Sequence, residues 1–286
     1  MTPRAAVSAL VLGTSALTAG ISSAGLEASR AGRGQAAQVL YLPSGEYLRI
    51  VSLGFPELLA DVIYIWSIQY YSNYEVEDRF RYLEHVYGNV ISELDPRYID
   101  PYLVGSLIMS VEAKDHEMAL RLLEKGMDAN PEEWILPFEA GFTCFQILKD
   151  YRRAAAYFER AMDIPGAPPP IRRMYAEMFN RIGDKQASLA HWRNIYESAD
   201  NDHVKDISWR HVHDLTIECD IEALTDAVES YRAREGRPPR ELEDLRRSGL
   251  IAMVPVDPDG EEYVYDSATG KVSSASRWRL YRKMDR

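Results

Sequence analysis

The sequence predicts an all-α protein: a helical-repeat solenoid, preceded by a hydrophobic N-terminal helix and closed by a small helix plus β-hairpin element. Three observations predict it. Small and large apolar residues recur every 34 to 35 positions between Ile99 and Asp200. An uncharged run of 22 residues, Ala5–Leu26, stands far ahead of them. Short alternating stretches appear after Val254, where the helical period fades.

The first 31 residues read as a signal peptide or membrane anchor. Ala5–Leu26 follows Arg4, is long enough to span a bilayer, and is rich in Ala, Ser, Thr and Gly. Ser22-Ser-Ala24 offers small residues where a signal peptidase cuts, so cleavage and retention stay open alternatives. Residues 32–54 read as a connector containing Leu42-Pro-Ser-Gly45 and a short apolar piece, Tyr47–Leu53.

Residues 55–235 read as the repeat region. Pro56 opens a helix at a first-turn position, where its missing N–H costs nothing, and Leu59, Ile63, Trp66 and Tyr70 share one core face. A partner helix runs through Phe80, Leu83, Tyr87, Val90 and Leu94 to Asp95-Pro96. Pro96 lies 35 residues before Pro131, so this pair reads as a degenerate first repeat. The clearer repeats carry Ala119, Leu123, Gly126 and Met127, then Ala154, Phe158, Ala161 and Met162, then Ser188, Trp192 and Ile195. Small residues let paired helices approach closely, and large ones fill the space against the next pair. Ile207–Glu218 and Asp220–Glu235 read as a further pair.

This period and pattern resemble the tetratricopeptide repeat. The opening, with Leu42-Pro-Ser-Gly45, Leu59-Ala-Asp61 and Ile68-Gln-Tyr-Tyr71, is similar to the start of many bacterial exported repeat proteins. The resemblance implies partner binding as the way of working and a periplasmic or extracytoplasmic place, anchored to the inner membrane if residues 5–26 are retained.

Residues 236–286 read as a C-terminal cap. Gly236-Arg-Pro-Pro239 stops the array, Arg240–Arg247 gives a short helix ended by Gly249, and Tyr263-Val-Tyr265 with Lys271-Val-Ser273 signals a hairpin. The order Tyr231, Gly236-Arg-Pro-Pro239, Leu242, Leu245, Gly249-Leu, Val254-Pro, Asp257-Pro, Gly260, Tyr263, Tyr265 resembles the soluble end of type II secretion major pseudopilins. Pseudopilins join that end to an N-terminal membrane helix, whereas here it follows a repeat array. A pilus or secretion-type assembly is the context this resemblance implies.

A net charge of −11 argues against nucleic acid as a partner, because phosphate binding needs a basic footprint. Cys144 and Cys219 are too few for a disulfide framework; one bridge between them is the alternative, but each lies in an expected helix and both read as buried free thiols. His203, His211, His213, Asp214 and Cys219 are the densest set of metal-ligand types, yet His211 and His213 point about 200° apart on a helix. Asp257, Asp259 and Glu261 around Gly260 offer oxygens to Ca²⁺, but Asp-Pro-Asp-Gly is an ordinary turn sequence. Phosphate-loop, dinucleotide and Gly-x-Ser-x-Gly patterns do not occur. The expectation is a non-enzymatic scaffold without cofactor or resident metal; the alternatives are a structural subunit packed along a larger membrane complex, or a metal protein using the His203–Asp220 region.

In proteins of the resembled family the first helix of each pair lines a concave groove. That rule, transferred by phase, selects Val104, Ile108 and Glu112, then Glu139, Thr143 and Gln146, then Arg173, Glu177, Asn180 and Arg181. The last four fall on one helical face. Arg173 and Arg181 suit a peptide carboxylate or acidic side chain.

Overall fold

The computed structural model describes residues 42–76 and 78–280. The expected signal or anchor, Ala5–Leu26, lies outside the described residues, as does the chain beyond 280. Among the described residues no helix is long and apolar enough to cross a membrane.

The protein is mostly helical. Helix α1 (Gly45–Val51) falls inside the segment read as connector; the Ser44 hydroxyl accepts from the amide of Tyr47 and starts it. α2 (Pro56–Tyr71) and α3 (His85–Ile91, π-helical, running into Ser92–Leu94) form the first pair. The next pairs are α4 (Ile99–Leu107) with α5 (His116–Ala129), α6 (Ile135–Thr143) with α7 (Tyr151–Met162), and α8 (Pro170–Ile182) with α9 (Lys185–Glu197). α4 and α6 each end in a π-helical turn, Ile108–Glu112 and Cys144–Leu148. The small–large stripe is buried as the sequence predicts: Ala119, Leu123 and Met127, then Ala154, Phe158 and Ala161, then Ser188 and Trp192.

The connection inside each of these three pairs repeats. Lys114, Lys149 and Gly183 adopt left-handed φ angles of 57°, 56° and 93°. Each is followed by an aspartate, Asp115, Asp150 or Asp184, whose carboxylate caps the next helix by accepting from the amide three residues on. The aspartate amide donates back to Met109, Cys144 or Phe179.

Between pairs, polar stitches join residues about one repeat apart. Arg121 meets Glu84, and Arg153 forks onto both oxygens of Glu117 at 2.8 and 3.1 Å. Tyr157 donates to Glu124, and the Asn130 side-chain amide donates to the Pro96 carbonyl at 2.9 Å. Apolar fit matters more. A Cβ on Gly105 would stand 2.6 Å from the Tyr87 ring, and one on Gly141 would stand 2.8 Å from Phe158.

After α9 the structure departs from the expected fifth pair. α10 (Asp202–Glu235) is one helix of 34 residues. Between its ends there is no glycine or proline to break it, and Gly236 at φ 73° stops it. Its first half packs with Leu189 and Trp192 through Val212, Leu215 and Cys219. Its second half, Leu224, Val228 and Tyr231, forms a separate core with Leu242, Leu245, Tyr263 and Val272. Leu245 belongs to the short helix α11 (Glu243–Arg247), with Leu242 just before it; Tyr263 directly precedes strand β1 (Val264–Asp266), and Val272 lies in β2 (Lys271–Ser273). The strands pair antiparallel with Tyr265 opposite Val272, as the hairpin signal predicts. Both cysteines are buried and free.

Candidate partner-binding groove

Pro168-Pro169-Pro170 starts α8 and Gly183 ends it, which fixes the helix between α7 and α9. Arg173, Met174 and Glu177 therefore share one face. They look across a cavity of about 380 Å³ toward Phe145 of the α6 terminus, Trp192 of α9, and Ile207 and His211 of α10. The walls are mainly apolar, with one cation and one carboxylate at the rim. A second cavity, of about 350 Å³, is lined by Pro168–Pro170, Arg172, Ile195 and Val204 and shares Arg173 with the first.

The floor of the first cavity is a ring pair. The Trp192 indole and the His211 imidazole stack with centroids 3.7 Å apart and planes within 2°. Trp192 is only 3% exposed, yet its Nε1–H has no hydrogen-bond partner among the described residues, and neither has Nδ1 of His211. A buried polar group left without a partner typically costs about 1–3 kcal/mol. Burial pushes the pKa of His211 below its ordinary 6.5, with Arg173 adding to that push and Glu177 and Asp214 opposing it. Burial therefore favours the neutral ring over the charged one.

The groove residues selected from sequence divide in two. Arg173 and Glu177 line the cavity. Arg181 does not supply a free charge beside Arg173, because it binds Glu177 at 2.9 Å one turn away. Asn180 also donates to Glu177, at 3.5 Å. Arg173 alone makes neither hydrogen bond nor ion pair within this set. The other selected residues lie away from the cavity. Glu112 accepts from Tyr74 and pairs with Arg79 at 3.2 Å. Gln146 and Thr143 lie on the π-turn end of α6, exposed and half-buried respectively. Glu139 is half-buried, and desolvation raises its carboxyl pKa. Val104 and Ile108 pack against the core.

The histidine-rich stretch is dispersed. His203 is exposed, His211 is in the ring stack, and His213 is fully buried between Asp214 (2.8 Å) and Asp259 (3.2 Å). Among the described residues no three His, Cys, Asp or Glu side chains converge as a metal site. The calcium candidate is a turn: Asp257 is buried, one oxygen accepting the amides of Asp259 and Glu261 and the other the Ser274 hydroxyl. Asp259 is turned toward His213 and Arg279.

Sequence reasoning placed Trp192 in the core and His211 among metal ligands, and so missed their stack. The helical phase of each was readable. The register between α9 and α10, which brings the rings together, left no signal in either segment. Compared with known proteins, the chain matches no family model and no curated sequence.

Proposed function

We propose that this chain is a non-enzymatic scaffold of the bacterial envelope, a tetratricopeptide-like solenoid that holds a protein segment in the groove of α8, α9 and α10. The observation that carries this reading is Arg173, free of any ion pair among the described residues, at the edge of a mainly apolar cavity lined by Phe145, Met174, Trp192 and Ile207. An apolar side chain fills the cavity, and an acidic group pairs with Arg173. The one-repeat spacing of the aspartate caps and of the polar stitches supports the solenoid reading. The uncharged run Ala5–Leu26 supports export or anchoring, and the C-terminal element acts as the cap that covers the last apolar face. Its likeness to pseudopilin ends makes a pilus or secretion-type assembly the favoured context.

Co-purification from native membranes with mass spectrometry identifies the partner, and Arg173→Glu then tests the groove. The expected result is lost recovery of the partner from a variant with unchanged helical content and melting. Exposed charge changes usually stay within about 0.5 kcal/mol of neutral. Full recovery by the folded variant would remove the groove from the binding surface.

A further inference from the structure

The corner between α1 and α2 carries a second, independent surface. α2 is apolar on both sides. Ala60, Ile63, Tyr64 and Ser67 are buried against the array, while Leu58, Val62 and Ile65, at i, i+4 and i+7, face outward. A helix apolar all round belongs to a buried or lipid-contacting setting. The turn that leads into it is stranger still. Leu53 is 87% exposed and adopts a φ of 55°, a left-handed conformation that disfavours a leucine. Ile50 and Phe55 on either side are 75% and 66% exposed. No contact among the described residues accounts for a strained leucine held out into solvent.

From these residues we infer that the α1–α2 corner dips into the interfacial layer of a lipid bilayer. The chain ahead of it favours this occupant over a protein. The described chain begins at Leu42, directly before α1, and 15 residues separate it from the uncharged run ending at Leu26. Fully extended, that tether reaches at most roughly 50 Å, so a bilayer holding Ala5–Leu26 keeps the corner close to its surface. The side chains also match the boundary layer: exposed Tyr47 and Tyr74 flank the aliphatic residues, and aromatic residues with a polar tip gather at that depth. Val62 to Tyr74 contains no charged residue. The exposed charges at the corner are Glu46 and Arg49 on α1 and Glu57 and Asp61 on α2, with Asp61 on the outward face beside Leu58 and Ile65. Three of the four are acidic, so insertion is driven by apolar area and not by anionic lipid, and Asp61 stays at the water-facing edge.

The test uses the full chain in phosphatidylcholine vesicles, with an environment-sensitive fluorophore on Leu53→Cys or Val62→Cys and on Ser267→Cys as a distant control. Cys144 and Cys219 are buried, which directs the label to the introduced thiol. The expected result is a blue shift and strong quenching by bromine-labelled lipid at positions 53 and 62, with none at 267. It should persist at high salt and without anionic lipid. Corner probes quenched no more than the control would overturn the inference. So would a blue shift without lipid that fades on dilution, which marks self-association, or one independent of both, which marks coverage by the protein's own N-terminal run. Two label positions guard against one variant misfolding.

Discussion

Trp192 and His211 lie face to face at 3.7 Å, each with a ring nitrogen buried and unbonded, on helices that are adjacent in the chain but meet only through the register of α10. The stack is where the array hands over to its long last helix. It gives two separable expectations, one for stability and one for pH.

Trp192→Phe keeps an aromatic face on His211 and removes the unpaired donor. Without a partner, relief of the unmet desolvation cost of about 1–3 kcal/mol opposes the void left by the smaller ring, so stability should change little. With a partner it should bind less well. Thermal unfolding and partner recovery, measured on the same sample, check both halves.

The lowered pKa of His211 sets a sign for pH dependence. The unfolded chain takes up the proton more readily than the folded one, so folded stability is full above about pH 6.5 and declines as the pH falls through the window below it. His211→Gln should remove that part of the slope. Urea unfolding at several pH values between 7 and 5 measures it; an unchanged slope would refute this assignment.

Gly141 tests the helix contact. A methyl group there would meet the Phe158 ring at 2.8 Å, and Phe158 is fully buried with no room to retreat. Gly141→Ala should lower stability by about 1–3 kcal/mol, in the range of other overpacked cores. Adding Phe158→Leu should recover part of the loss. Additive effects in the double variant would contradict the contact.

The left-handed lysine at the α6–α7 turn offers a stabilising change. Lys149 stands where the next repeat has Gly183, and a non-glycine residue in that conformation costs roughly 1–2 kcal/mol. Lys149→Gly should raise the melting temperature by a few degrees, while Gly183→Ala should lower it. Differential scanning calorimetry reads both.

Asp214 holds down the end of the described chain. Fully buried, it accepts the amides of Arg279 and Leu280 at 2.9 Å each while meeting His213 at 2.8 Å. Asp214→Ala strands these donors, so it should destabilise by a few kcal/mol and speed protease cleavage near Arg279. A tail that stays protected in the variant would show that other contacts suffice.

The period of the stripe, the glycine stops and the hairpin were legible because each is written in local spacing. Ala154, Phe158, Gly236 and the Asp266–Gly270 turn sit where those rules put them. The single helix α10 differs from the expected pair because its amphipathic pattern is weak and shifts phase along its length, while no breaker residue lies inside it. Glu177 stands four residues from both Arg173 and Arg181, so spacing alone offered either pair; the order carboxylate before cation favours Arg181, the pair the structure shows. The outward apolar face of α2 was hidden by the inward one. A sequence apolar on both sides gives no direction until one side is seen to be covered.

One consequence of α10 concerns motion. At 1.5 Å per residue its 34 residues run about 51 Å as a single rod, bedded at one end against Trp192 and at the other against Tyr263 and Val272. A rod without a hinge transmits a tilt applied at either end instead of absorbing it. Whatever displaces the ring stack therefore swings the hairpin through an arc, and a load placed on the hairpin arrives at the stack as torque.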